Sequence, residues 1–170
     1  MTTSRIRQLR ISALALALFV LASGCVSVNI GGSKTERSKG VRVTEPASPY
    51  REIEGSRADG AWKNPSNGNS ISYFSTCNES ADPSLETATN ELFADLKNLV
   101  IKRQATTEFN GREALDSEVE GKMEGILTRG GSIVFKKNGC LYTLSHVGIA
   151  AKFDEDRKTF DGFLQSFEAP

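Results

Sequence analysis

The patterns along the chain predict an α+β fold, an antiparallel β-sheet with two principal α-helices packed on it. Three observations carry this. Apolar residues recur at helical spacing from Leu85, then at intervals of two from Ala105, and again at helical spacing from Phe153. Turns such as Asn110-Gly111 and Asn138-Gly139 link the period-two segments, and they are far shorter than the dozen residues a parallel crossover needs. Neighbouring strands must therefore run antiparallel. The order of strands, helix, strands and helix is that of an α+β sandwich.

The first strands are predicted at Ala61-Trp62-Lys63 and Ser70 to Cys77, joined by the turn-forming run Asn64-Pro65-Ser66-Asn67-Gly68-Asn69. Ile71, Tyr73, Ser75 and Cys77 share one face of the second strand, and Phe74 takes the other. Asp82 can cap a helix with Pro83 at its first position. Leu85, Ala88, Leu92, Phe93, Leu96, Leu99 and Val100 then outline an amphipathic helix of four or five turns, with Lys97, Lys102 and Arg103 near its C-terminus. Next come a strand holding Ala105, Thr107 and Phe109 on one side and a strand holding Leu115, Val119 and Met123. Opposite those three lies a charged face of Glu113, Asp116, Glu118 and Glu120. Further strands follow at Ile126–Leu127, Ile133–Phe135 and Leu141–Ile149, separated by Gly130-Gly131 and Asn138-Gly139. Asp154 is expected to cap a final helix in which Phe153, Phe160, Phe163, Leu164 and Phe167 cover one side.

The amino-terminal layout is of another kind. Arg5, Arg7 and Arg10 precede an apolar run from Ile11 to Gly24, about 14 residues and so shorter than the ~20 that a bilayer-spanning helix requires. A plain secretory signal or a short anchor helix suits that run. Only a lipoprotein signal requires Cys25 directly after the small residues Ala22, Ser23 and Gly24. Residues 1–24 are thus expected to be removed between Gly24 and Cys25, with Cys25 acylated by chains such as palmitate. Two or three acyl chains hold a protein on a bilayer far longer than a single chain does, so the lipid bilayer is the first expected partner. Val26 in place of Asp resembles the sorting signal for the outer membrane, with the domain in the periplasm or at the cell surface.

Losing residues 1–24 takes three arginines from 21 basic residues and none of the 21 acidic ones, so 18 against 21 remain and the formal charge becomes −3. No basic cluster is interleaved with aromatics, which argues against nucleic-acid binding. The 146 residues left suit one domain and a tether. Residues 25–48, rich in Gly, Ser and charge, read as that tether, with Val41 and Val43 as a possible short edge strand; residues 49–170 read as the domain.

Acylation of Cys25 would leave the even pair Cys77 and Cys140. A disulfide is the natural pairing in an oxidising compartment, and closing a loop of about 60 residues would contribute on the order of 4 kcal/mol. Two buried free thiols packing as small hydrophobes are the alternative.

Several of these residues resemble a known family. Ala61-Trp62, Ile71-Ser72-Tyr73, Cys77, Pro83-Ser84-Leu85-Glu86, Phe109-Asn110-Gly111-Arg112-Glu113-Ala114, Cys140-Leu141-Tyr142 and Phe160-Asp161-Gly162-Phe163-Leu164-Gln165-Ser166-Phe167 together resemble bacterial lipoproteins with a PsbP-like domain. That fold is shared by the extrinsic PsbP subunit of photosystem II and a Ran-binding nuclear import factor. The resemblance spans about residues 50–168 and implies a non-enzymatic binding or envelope-assembly role with an unidentified envelope protein as partner. It supplies no catalytic residues.

The residue inventory points the same way. His146 is the single histidine, and it lies six residues beyond Cys140 on one predicted strand, which puts the side chains about 20 Å apart. A partly solvated, hydrogen-bonded surface role is expected for it. Cys77, Cys140 and His146 lack the close pairing of a zinc site, and the acidic sets read as a solvated face and a helix start rather than a calcium loop. Neither glycine pair is followed by the Lys-Ser/Thr of a phosphate loop, and no Gly-x-Ser-x-Gly elbow occurs. No cofactor and no catalysis are expected. Tyr50, Trp62 and Tyr73 are candidates to line a small-ligand groove, the basis of an alternative reading as a periplasmic carrier; a thiol-dependent enzyme is a third.

Overall fold

The computed structural model describes residues 36–77 and 82–170. The expected signal, its Gly24–Cys25 cleavage point and tether residues 25–35 lie outside the described residues. Among the described residues there are seven strands: β1 (Arg51–Glu52), β2 (Gly60–Lys63), β3 (Ser70–Cys77), β4 (Lys97–Phe109), β5 (Arg112–Met123), β6 (Ile126–Lys137) and β7 (Cys140–Ile149). They form one antiparallel sheet in the order β1-β2-β3-β7-β6-β5-β4. Asn110-Gly111, Glu124-Gly125 and Asn138-Gly139 close the hairpins, each with positive φ at both residues, as the right-handed strand twist favours. β6 runs unbroken through Gly130-Gly131, where the sequence suggested a break. Gly130 serves close approach instead, because a Cβ there would lie 2.4 Å from Cε1 of Phe93.

Helix α1 (Leu85–Leu92) starts where expected, with the Ser84 hydroxyl rather than Asp82 accepting from the amide of Thr87. It ends early. Leu96 still packs beside Phe93 and Val119, but Leu99 and Val100, the residues that prolonged the helical pattern, belong to β4. The β-branched residues Val100, Ile101, Thr106 and Thr107 fit a pleated strand better than a helix, and a short apolar stretch satisfies either period.

The second helix also begins differently. Phe153–Asp156 forms a 3₁₀ turn and α2 spans Arg157–Ser166. Asp154 does not cap it; its carboxylate pairs with Arg129 and Arg157.

Register places the helices on opposite faces of the sheet. Under α2 lie Ile71, Ala114, Phe135, Tyr142 and Leu144, closed over by Phe160, Phe163 and Phe167. This is the main core. The other face carries the smaller cluster of Phe93, Leu96 and Val119 beneath α1. Phe135 stacks on Tyr142 at 4.9 Å, and Phe167 meets both edge-on.

The expected tether reaches residue 48, but residues 36–48 lie against the domain. Glu36 bridges Cys77, Arg42 bridges Glu168, and Ser38 Oγ is 2.7 Å from the Tyr142 hydroxyl. Val41 and Val43 pack on the main core. Polar composition hid a segment whose backbone is bridged at Glu36 and Arg42 and whose two valines are half-buried.

Candidate functional site

Cys77 and Cys140 sit directly opposite each other on β3 and β7 and are joined by a disulfide. The same register sets His146 opposite Ile71, six residues further along. Neither sulfur is a free thiol, and both are remote from the imidazole.

His146 is no surface residue. Only 1% of it is exposed; its ring stacks on Phe153 at 4.5 Å and tilts against Phe160 at 5.4 Å. Burial lowers its pKa to about 4; Asp156 and Asp154 oppose that shift, while Arg157 and Arg129 add to it. The imidazole is neutral at neutral pH and has aromatic faces, not water, around it.

Two polar clusters hold the start of α2. Asn64, Asn67 and Asn69 each donate a side-chain amide to the buried Asp156 carboxylate, at 3.1, 2.7 and 2.9 Å. Burial pushes that carboxyl upward, but the hydrogen bonds from Asn67, Asn69 and Asn64 outweigh it and leave the pKa below the usual range. Nearby, Glu118 accepts from Arg129 and from Arg157 at 2.7 Å, and both guanidiniums lie over the Phe153 ring. The sequence hinted at the first cluster only through three asparagines read as a turn.

Tyr50, Trp62 and Tyr73 do come together, but beneath α2. Trp62 meets Phe163 edge-on at 5.8 Å and stacks on Tyr73 at 6.4 Å, and Tyr50 is buried in the same cluster. Where a groove was expected, Phe163 and Phe167 fill the space.

A groove does open on the opposite face. It holds about 410 Å³, walled by Phe74, Leu92 and Leu141 and floored by Ser72, Thr143 and Ser145, with Glu91 at its side. Its floor belongs to a row of serines across the sheet, Ser117, Ser132, Ser145 and Ser72, set opposite one another on four strands. Ser72 and Ser145 share a hydrogen bond at 2.9 Å, while the buried Ser132 hydroxyl has no partner among the described residues. Volume and lining suit a small amphipathic molecule or an extended peptide segment. Period-two patterning could have placed Ser72 and Phe74 on a shared face, but not the short helix that leaves them uncovered.

No family model and no curated protein matches the chain. Solved structures do. Cyanobacterial PsbP (CyanoP) from Synechocystis sp. PCC 6803 aligns with a TM-score of 0.56 at 13% identity, covering 84% of this chain and 96% of that one. The domain has a PsbP-like fold. LpqN of Mycobacterium tuberculosis, described as involved in cell envelope biogenesis, is similar to this PsbP-like domain at a TM-score of 0.59 and 15% identity, covering 82% of this chain and 88% of that one. At such identities the likeness is one of fold. Among the described residues, no helix of the PsbP-like domain is long and apolar enough to cross a membrane.

Proposed function

We propose that the protein is a lipid-anchored envelope lipoprotein whose PsbP-like domain acts as a non-catalytic binding or assembly module. The observation that carries this reading is the fate of the thiols and the imidazole that the sequence offered as nucleophile and base candidates. Cys77 and Cys140 are consumed in a disulfide, and His146 is stacked between phenylalanines. The leader ending Ala22-Ser23-Gly24-Cys25 supports the anchor, with the outer membrane as its destination and the domain in the periplasm or at the cell surface. The partner is an envelope protein.

Globomycin treatment with intact-mass analysis tests the anchor. The expected result is accumulation of uncleaved precursor under the drug and an acylated Cys25 without it; a bare thiol at position 25 defeats the proposal. Catalysis is tested with His146→Gln in a deletion-complementation assay, and full complementation is expected.

The groove beneath α1 favours a second reading, a carrier of a small amphipathic ligand. Native mass spectrometry of protein purified from its own envelope separates the two, since a carrier retains added mass that Ser145→Phe removes.

A further inference from the structure

We propose that the groove between α1 and strands β3 and β7 is a site for a cationic amphiphile, an alkylammonium whose head is held by Ser72, Ser145 and Glu91 and whose hydrocarbon lies along Phe74 and Leu141. The inference rests on the carrier reading of the same groove and adds the charge of what is carried.

Register fixes the floor. Ser72 faces Ser145, Phe74 faces Thr143 and Thr76 faces Leu141, so three rungs of the ladder between β3 and β7 follow one another on the face that α1 only partly covers. At two residues per rung the floor is about 13 Å long. The rung of two serines lies at one end and Leu141 at the other. The helix has a direction to match. Its first residues, Ser84 and Leu85, share a hollow with Lys136, which pairs with Leu141; Phe93, just past its last turn, covers Gly130, which pairs with Val147. Glu91 is thereby carried to the serine end, and Pro83, ahead of the helix, borders the apolar end.

Charge decides the class of ligand. Glu91 is the only charged side chain lining the groove among the described residues, and its exposed carboxylate has no partner among them. Arg37 rests on the Phe74 ring at 3.7 Å, but Asp59 and the carbonyls of Ser75 and Arg57 already engage its guanidinium. A carboxylate or phosphate head would therefore meet an anion and no lining cation, whereas an ammonium finds three acceptors for its three N–H donors. Ser72 and Ser145 bond to each other at 2.9 Å, which uses one proton and one lone pair and leaves both oxygens able to accept. Behind the head, Phe74, Leu92 and Leu141 are half-buried, and a hydrocarbon chain laid on them removes apolar surface from water on both sides.

The experiment titrates the full-length protein, held in nanodiscs of zwitterionic lipid at neutral pH, with octylamine, octanol and octanoate by calorimetry against empty nanodiscs. Saturable binding of octylamine is expected, severalfold tighter than that of octanol, with octanoate weakest. Glu91→Gln should bring octylamine to the level of octanol, and Glu91→Lys should reverse the order of octylamine and octanoate. Glu91 is exposed, so thermal midpoints should hold. Ser72→Phe, which fills the groove, should remove the signal for all three. Equal affinities for the three heads, or an order indifferent to Glu91, overturn the charge assignment and leave the carrier reading standing. Absence of saturable binding, or binding that Ser72→Phe leaves intact, overturns both.

Discussion

At His146 the unfolded chain takes a proton near the ordinary value of 6.5, while the folded domain keeps the ring neutral down to about 4. Between those values the unfolded state binds more protons, so the stability present above pH 6.5 falls by about 3 kcal/mol as pH drops towards 4. Glu118 and Asp156, held below the usual carboxylate range, begin to lose their contribution as pH falls past about 5, where the same groups of the unfolded chain start to take up protons. Urea unfolding of His146→Phe at a series of pH values should show a flat profile between 6.5 and about 5 where the wild type already slopes, and a shallower fall than the wild type below that. A second residue-scale test concerns Gly148, whose Cβ would sit 1.8 Å from Asn69 Oδ1. Gly148→Ala should displace Asn69 from Asp156 and lower stability by about 1–3 kcal/mol in urea unfolding. Nothing in the sequence marks that glycine, since the clash comes from a loop nearly eighty residues away.

Among the elements, the disulfide between β3 and β7 closes a separation of 63 residues. In the chain-entropy model its removal should cost about 4 kcal/mol. Cys77→Ser, Cys140→Ser and the double variant should unfold at similar denaturant concentrations, all below the wild type, and reductant should bring the wild type to their level. Gly130→Ala should push the Phe93 ring off β6 and loosen the end of α1, read as a loss of about 1–3 kcal/mol. These elements show what local pattern could convey. Both hairpin turns read at Asn-Gly pairs are present, as are both helices, because turn chemistry and one apolar stripe suffice for them. The end of α1 was hidden because Leu96, Leu99 and Val100 continue a helical spacing that the chain leaves after Leu92. The break expected at Gly130-Gly131 was misplaced because those glycines answer to Phe93 across the layer, a contact that sequence neighbours do not encode.

For the molecule as a whole, the two faces of the sheet differ in chemistry. One is sealed by phenylalanines under α2, and the other is crossed by serines and only partly covered by α1. The fold class and the cysteine pairing were legible in order and parity, but the groove was not, since Tyr50, Trp62 and Tyr73 drew attention to the face that is filled. Ser72→Phe should occupy the groove, leaving the thermal midpoint near wild type while reducing capture of ligand or partner in envelope pull-downs.

The clip between β3 and β7 also decides how the domain would answer mechanical load. Tension arriving through Glu36 reaches Cys77 by their backbone bridge, and the sulfur link hands it to Cys140 on the middle strand of the seven. An outer strand pulled from its end peels one bond at a time, whereas here part of the pull is shared with the centre of the sheet.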